Sequence, residues 1–229
     1  FLPALYVAWF RIKPEVPPAA AALAEKFWPG PLTLVFDKKD GVPDIVTAGL
    51  STVAVRMPSH PVALSLIERT GKPIAAPSAN PFGYISPTRA DHVALQLGDA
   101  VDMILDGGDC VVGLESTIVL ADPDPVLLRP GGIPVEALEA ALRGPLAVSG
   151  DAGRPTSPGQ LASHYAPEAR VRLGATSAEP GEVLVGFGPV KGPLSLSDTG
   201  DLVEAAARLF QTLREADRLA GRRMGDAAA

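Results

Sequence analysis

The chain has 229 residues, a formal net charge of −6 at pH 7 and 47% hydrophobic residues, which is typical of a globular protein long enough to bury a substantial core. The negative balance argues against a broadly basic nucleic-acid surface, and the lone cysteine, Cys110, excludes an internal disulfide framework and a cysteine-rich zinc site. No apolar run reaches the ~18–20 residues that cross a bilayer, so we expect a cytoplasmic protein without a membrane segment.

The first part of the chain has the pattern of strands separated by helices. Residues 1–13 are apolar and suit a strand, and residues 19–27 have a helical pattern that ends before the turn Trp28-Pro29-Gly30-Pro31. A strand is predicted at Leu32 to Phe36.

The stretch from Ser51 to Asn80 predicts a strand, a helix and a second strand. Alternation in the first strand places apolar side chains on one face and, on the other, Thr52, Ala54 and Arg56. An arginine on a face of small residues favours anion binding, and a salt bridge across the sheet explains it about equally well.

Capping signals predict where the helices begin and end. Ser59 can cap the first helix of the central stretch, and Gly71 can end it. Thr88 with Asp91 resembles a capping box that opens another helix, which Gly98 closes.

The rest of the chain divides at a segment rich in Gly and Pro. Before it, strands are predicted at 101–105, after a turn at 113–119 and at 126–128, and a helix at 134–143. Residues 145–167 are interpreted as an inter-domain linker. Beyond it we predict strands at 171–173 and 183–187 and a helix at 201–219, whose apolar face holds Leu202, Ala206, Leu209, Phe210 and Leu213.

Small hydroxyl residues and two arginines recur where the predicted strands end. They are Thr52, Arg56, Ser78, Ser86, Ser116, Thr117 and Arg129. Hydroxyls and guanidinium groups suit a polyanionic ligand, although a serine of this kind taken alone is more often a turn residue or a helix cap. The sequence contains no Ser-His-Asp set, Walker loop or G-x-G-x-x-G motif, so the residues alone indicate an anion-binding α/β protein.

A set of motifs in a defined order resembles a known family. It comprises K-F-W-P-G-P-L-T-L-V at 26–35, S-T-V-A-V-R-M-P at 51–58, P-I-A-A-P-S-A-N at 73–80, I-S-P-T at 85–88, G-L-E-S-T-I-V at 113–119, L-R-P-G at 128–131 and S-P-G-Q-L-A-S-H-Y-A-P at 157–167. Together they resemble the YrdC-like family in its two-domain threonylcarbamoyl-AMP synthase form.

The resemblance implies an α/β fold in two domains. Residues 1–144 would form a YrdC-like twisted mixed sheet with an open cavity, residues 145–169 a linker that closes over the nucleotide as a lid, and residues 170–229 a small Rossmann-like C-terminal domain.

The resemblance also implies a reaction, in which L-threonine, bicarbonate and ATP give threonylcarbamoyl-AMP and pyrophosphate for the t6A modification of tRNA. Arg56, Ala76 and Ser116 would bind threonine. The ATP-binding residues implied are Thr52, Ser78, Ser86, Arg129, His164 and Tyr165. Mg²⁺ would accompany the triphosphate without a dedicated set of protein ligands, and no side chain is implied as a nucleophile. A downstream t6A transferase complex would be a partner, whereas tRNA contact would be weak or indirect.

Two motifs of the family are not found in the sequence. They are the P-T-E-T-V-Y-G-L strand and turn, and a K-x-R-P segment whose basic residues contact the triphosphate. We therefore expect a marginally folded chain with little synthase activity, in which one strand's place in the sheet is empty or is filled by residues 1–13. A non-catalytic nucleotide- or RNA-binding remnant of the family is the competing interpretation. A related carbamoyl-adenylate-forming domain of hydrogenase maturation is less favoured, because it carries further domains.

Overall fold

The computed structural model of the chain describes residues 4–6, 16–121, 123–149 and 165–221. They form two compact units, of which the first comprises Phe1–Pro77 with Glu115–Ala162 and the second Ser78–Leu114 with Ser163–Ala229. The domain boundaries predicted from the sequence stay a prediction. Within the described ranges, none of the helices combines the length and the apolar character that crossing a bilayer requires.

Seven described strands build the sheet of the first unit. They are β1 (Ala4–Tyr6), β2 (Leu32–Asp37), β3 (Thr52–Arg56), β4 (Ile74–Ala76), β5 (Thr117–Leu120), β6 (Val126–Arg129) and β7 (Ala147–Val148). Their order is β4-β1-β3-β2-β5-β6-β7. The pairs β1–β3, β2–β5 and β6–β7 are parallel and the others antiparallel, so the predicted mixed α/β sheet is confirmed.

The described α-helices are α1 (Pro18–Phe27), α2 (Asp44–Thr47), α3 (Pro61–Thr70), α4 (Ala90–Leu97), α5 (Val135–Leu142) and α6 (Leu202–Leu219). The second unit contains α4, α6 and a short parallel pair of strands, β8 (Val185–Gly186) and β9 (Leu194–Ser195). Helix α6 begins where predicted, because the Asp201 carboxylate accepts hydrogen bonds from the amides of Val203 and Glu204 at 2.7 and 2.9 Å.

The main core of the first unit lies on one face of its sheet. Leu32 and Leu34 alternate toward this face and pack with Leu23 of α1 and Leu138 of α5, and all four are fully buried. Burial of each such side chain contributes about 1.5–3 kcal/mol. The opposite face has a smaller apolar cluster of Val35, Ala54 and Ile118, so it retains room for polar side chains.

Two strands of the sheet come from segments whose place the sequence did not settle. The place between β3 and β4 is filled by Ala4–Tyr6, which confirms the alternative in which residues 1–13 supply a strand. At the edge formed by β7, that strand pairs with β6, and the neighbouring Leu146 is buried in the main core. The first residues of the predicted linker, 146–148, thus belong to the core and the sheet of the first unit. Most of the predicted linker, residues 150–164, lies outside the described residues.

Two predicted strands are wrong. Residues 101–105 and 171–173 have no ladder partner in the parts of the chain that the structure describes. Met103 is 75% exposed and Leu173 is 87% exposed. Their apolar residues are compatible with a strand, but a strand forms only where a neighbouring strand accepts its hydrogen bonds. The strand predicted at 183–187 is shortened to β8.

Helix caps also differ in detail. His60 caps α3 in place of Ser59, since its Nδ1 accepts a hydrogen bond from the Val62 amide at 3.3 Å. Gly71 ends α3 with φ 61° as predicted. The predicted capping box is wrong, because α4 begins after Arg89 without a side-chain cap.

The turn after β6 packs against the backbone that leads into β5. A Cβ placed on Gly131 would lie 2.4 Å from the carbonyl oxygen of Glu115 and 2.6 Å from the amide nitrogen of Thr117. The next residue, Gly132, donates its amide to that same Glu115 oxygen at 2.9 Å. Glycine at 131 is therefore needed for the two chain segments to approach.

We predict that Gly131→Ala destabilises the first unit. The added methyl would force a backbone shift, and overpacking of this kind lowers the free energy of unfolding by about 1–3 kcal/mol. Urea unfolding followed by circular dichroism measures the change. Gly41→Ala is the control, because a Cβ there meets no atom within 4 Å. An equal and small effect of both changes would contradict the prediction.

Candidate anion-binding site

Arg56 stands at the end of β3 and is held by the turn before β2. Its Nε donates to the carbonyl oxygen of Gly30 at 2.9 Å, and the Gly30 amide donates to the Met57 carbonyl at 2.8 Å. Gly30 has no space for a side chain, since a Cβ would lie 2.3 Å from the Phe27 carbonyl oxygen. These contacts fix the position of the Arg56 guanidinium at the end of β3.

Ser116 lies at the centre of a buried hydrogen-bond network. Its hydroxyl is 2.7 Å from the Thr33 hydroxyl, and both residues are buried. Arg129 donates through Nη2 to the Ser116 carbonyl at 2.8 Å and to its hydroxyl at 3.1 Å. The Nε of Arg129 donates to the same carbonyl at 3.2 Å, and the Glu115 carboxylate lies 3.7 Å from its Nη2. Arg129 therefore fixes both the backbone and the hydroxyl of Ser116.

A register shift in the β5–β6 pair brings Arg129 to this network. Val119 pairs with Leu127, but Ile118 pairs with Arg129, so Leu128 is an extra residue in β6. Without that residue, regular alternation would place Arg129 on the face of the main core. The bulge places it opposite Ile118, on the sheet face that Ser116 and Thr33 share.

The strand register places other predicted site residues on the same face. Arg56 pairs with Thr33 in β2 and with Tyr6 in β1, and Tyr6 in turn pairs with Ile74. Ala76 is two residues beyond Ile74 in β4, and Thr52 is four residues before Arg56 in β3, so both share the face of Arg56. The first unit thus presents Thr52, Arg56, Ala76, Ser116 and Arg129 on one face of its sheet.

The remaining predicted site residues belong to the second unit. Ser78 is exposed, whereas Ser86 is buried. Tyr165 has a left-handed backbone with φ 56°, and its ring stacks on Phe210 with the centroids 5.7 Å apart. His164 lies outside the described residues.

Sequence reasoning did not identify two members of the network. Thr33 is a polar residue in an otherwise apolar strand, and Glu115 adjoins Ser116 in the G-L-E-S-T motif. The signal that could have identified Thr33 is a hydroxyl residue inside the apolar L-T-L-V run. Such a residue is expected to be buried, and buried polar groups require partners. In the described ranges, no group of three His, Cys, Asp or Glu side chains is arranged to hold a metal ion.

Two family models together match most of the chain. Residues 6–131 match the Sua5/YciO/YrdC model, described as "Telomere recombination", and residues 133–225 match "Threonylcarbamoyl-AMP synthase, C-terminal domain".

Two similar proteins carry the name that the second family model prints, threonylcarbamoyl-AMP synthase. The threonylcarbamoyl-AMP synthase of Pyrococcus abyssi is 42% identical over 227 residues, which cover 89% of this chain and 66% of the relative. That of Bacillus subtilis is 50% identical over 169 residues, or 71% of this chain and 49% of the relative. The chain therefore spans less than two thirds of the length of either relative.

A solved structure also resembles the chain closely. The crystal structure of P. abyssi Sua5 complexed with L-threonine matches with a TM-score of 0.81 and 39% identity, over 94% of this chain and 71% of that chain. Because one family model accounts for more than half of the 229 residues, the chain belongs to the Sua5/YciO/YrdC family.

Proposed function

We propose that the protein is an L-threonylcarbamoyladenylate synthase, which converts L-threonine, bicarbonate and ATP into threonylcarbamoyl-AMP, pyrophosphate and water. The observation that carries the proposal is the polar row of Arg56, Thr33, Ser116 and Arg129 on one face of the sheet. Such a row suits a carboxylate or a phosphate. The names of the relatives and the threonine complex of the P. abyssi protein support it.

Threonine is proposed to bind at Arg56, Ala76 and Ser116. The guanidinium of Arg56 would hold the carboxylate, because a planar fork of donors matches two carboxylate oxygens. The small side chain of Ala76 leaves room on that face. The Ser116 hydroxyl, oriented by Thr33 and Arg129, would offer the substrate a hydrogen bond of defined direction.

ATP is proposed to contact the residues that the family resemblance implies, which are Thr52, Ser78, Ser86, Arg129, His164 and Tyr165. For Arg129 the geometry supports a further part in the reaction. Because three of its hydrogen bonds go to Ser116, it also positions the residue proposed to touch threonine.

The chemistry proposed needs alignment more than covalent catalysis. The threonine amine adds to CO₂ or bicarbonate to form a carbamate. A carbamate oxygen then attacks the α-phosphorus of ATP, the bond from that phosphorus to the bridging oxygen breaks, and pyrophosphate leaves. Groups held in place beforehand can lower such a barrier by orientation and by stabilising developing charge. A site made of arginines and hydroxyls suits this role.

Mg²⁺ is proposed as the cofactor that accompanies ATP. The residues present fit an ion held chiefly by phosphate oxygens and water, as is usual for Mg²⁺ at triphosphates. Glu115, which is one quarter exposed beside Arg129, is an acidic side chain of this face that could hold a metal-bound water. When bound, the ion would neutralise charge on the phosphates.

The product is proposed to serve the t6A modification of tRNA in the cytoplasm, through a downstream transferase complex. A net charge of −6 favours weak or indirect contact with tRNA, since tight binding requires basic surface.

We predict that a protein which combines this sequence with the P-T-E-T-V-Y-G-L and K-x-R-P segments of the family releases pyrophosphate from ATP only when L-threonine and bicarbonate are both present, whereas the 229-residue chain alone releases little. The measurement is a coupled pyrophosphate assay, with mass spectrometry to identify threonylcarbamoyl-AMP. D-Threonine is the control, because its amine and side chain would be misplaced once the carboxylate is held. Pyrophosphate release that does not depend on L-threonine, or no release at all, would overturn the proposed function.

We predict that Arg56→Gln weakens L-threonine binding by about tenfold to a hundredfold, the effect of losing a charge-assisted, two-point contact. Calorimetry measures the affinity, and the melting temperature should change by only a few degrees. Arg69→Gln is the matched control, because Arg69 is an exposed arginine of α3 that contacts Ser65. Unchanged threonine affinity in Arg56→Gln would rule out this assignment.

We predict that Thr33→Val raises the KM for threonine severalfold, because the Ser116 hydroxyl loses the partner that orients it. The loss of one hydrogen bond should lower the free energy of unfolding by about 0.5–1.5 kcal/mol. Thr47→Val is the control, since Thr47 is also fully buried and bonds to the Leu50 carbonyl at 3.0 Å. Equal effects of both variants on KM would show that the change acts through stability alone.

A further inference from the structure

One stripe of α6 connects the separate segments of the second unit. The stripe consists of Ala207, Phe210, Arg214 and Asp217, whose spacing of three and four residues puts them on one side of the helix. Ala207 lies against Gly113, where a Cβ would be 1.9 Å from the Ala207 carbonyl oxygen. The prediction of the apolar face of this helix is wrong in part, because Leu202 is 76% exposed and the charged Arg214 and Asp217 are buried.

The two charged members of the stripe contact chain segments far away in sequence. The Asp217 carboxylate accepts hydrogen bonds from the amides of Glu168 and Ala169 at 2.9 and 3.0 Å. The Nη2 of Arg214 donates to the Ile85 carbonyl oxygen and, at 3.0 Å, to Oε1 of Gln96 in α4.

The burial of Arg214 is not explained by a gain in folding stability. It is 3% exposed, and its Nε and Nη1 have no hydrogen-bond partner in the described part of the chain. Burial lowers its pKa to about 10, although the charges of Asp217 and Asp91 act in the opposite direction. An apolar side chain of similar volume is often as stable or more stable in such a place. A specific contact is therefore a better explanation for Arg214 than packing.

The hydrogen bond from Arg214 fixes the backbone at the first residue of the I-S-P-T motif, Ile85. The Ile85 carbonyl belongs to the peptide group that joins Ile85 to Ser86, and Pro87 restricts the backbone of Ser86 from the other side. The Thr88 amide donates to Nδ1 of His92 in α4 at 3.3 Å. Both ends of the motif are thus tied to helices, and Ser86 lies buried between them.

We propose that Arg214 is a positioning residue for the nucleotide site, which acts by holding the Ile85–Ser86 peptide so that the Ser86 hydroxyl meets ATP. This rests on the proposed function, because it takes Ser86 as an ATP contact. Arg214 itself touches no substrate in this account. Its removal should weaken ATP binding and leave threonine binding, which is assigned to residues of the first unit, unchanged.

The test is a double-mutant cycle between Arg214→Met and Ser86→Ala, with ATP and threonine affinities measured separately by calorimetry. We expect each single variant to weaken ATP binding by about tenfold, with threonine affinity unchanged. The double variant should be no more than about twofold weaker than Ser86→Ala alone, because both changes remove the same interaction. Arg214→Lys, which keeps one donor for the Ile85 carbonyl, should recover part of the affinity.

Arg208→Met is the matched control, because Arg208 lies on the same helix but is exposed and pairs with Glu204 at 3.3 Å. It should leave ATP affinity unchanged. Multiplicative effects of Arg214→Met and Ser86→Ala, or equal weakening of ATP and threonine binding, would overturn the inference. If Arg214→Met does not fold, Gln96→Met and Arg214→Lys take its place in the cycle and are read by the same criterion.

The wild-type protein separates this inference from the proposed function. ATP binding without threonine-dependent pyrophosphate release would overturn the proposed function, and the mutant cycle would still decide the part played by Arg214. No ATP binding by the wild type would overturn the inference.

Discussion

The hold of Arg129 on Ser116 is the interaction on which the first unit's polar face depends. Burial of a guanidinium is costly unless its donors find acceptors, and here Nε and Nη2 of Arg129 converge on one residue. This arrangement requires the bulge in β6, which places Arg129 on the same sheet face as Ser116. It also requires Gly131, which lets the turn after β6 pack against the backbone of residues 115–117. The site and the local fold are therefore consequences of the same contacts.

The two faces of the sheet differ in how much apolar surface they bury. One face packs against α1 and α5 and supplies most of the apolar burial. Because that face stabilises the unit, the other can carry arginines and hydroxyls whose burial is unfavourable. Preorganised polar groups on a rigid sheet need little rearrangement when charge develops on a substrate, and the proposed reaction, which uses no protein nucleophile, would require this.

The second unit uses buried charge in a comparable way on a helix. Arg214 and Asp217 of α6 each bind backbone groups of a distant segment. Directional hydrogen bonds from a rigid helix specify where a loop lies more narrowly than apolar contact does. Each unit thus contains an arginine that donates to a backbone carbonyl in a family motif: Arg129 to that of Ser116, and Arg214 to that of Ile85, which precedes Ser86.

The sequence by itself determined the local features and the family. Period-2 alternation predicted β2 and β3 and put Thr52, Ala54 and Arg56 on one face, while Gly71 and Asp201 marked helix ends correctly. These features depend on neighbours within a few residues, so they can be read along the chain. The order of the motifs indicated the family, and the matching family models confirm it.

Only the tertiary structure decided the features that depend on distant partners. A one-residue bulge reverses the face of Arg129, and no local pattern in residues 126–129 reveals it. Residues 101–105 are mostly apolar, as the residues of a buried strand are, but ladder hydrogen bonds require a neighbour that the described sheet does not provide. The buried side of α6 holds Arg214 and Asp217 because distant backbone groups bond to them. Hydrophobicity along the helix could not show this, since the burial of a charge depends on its partners.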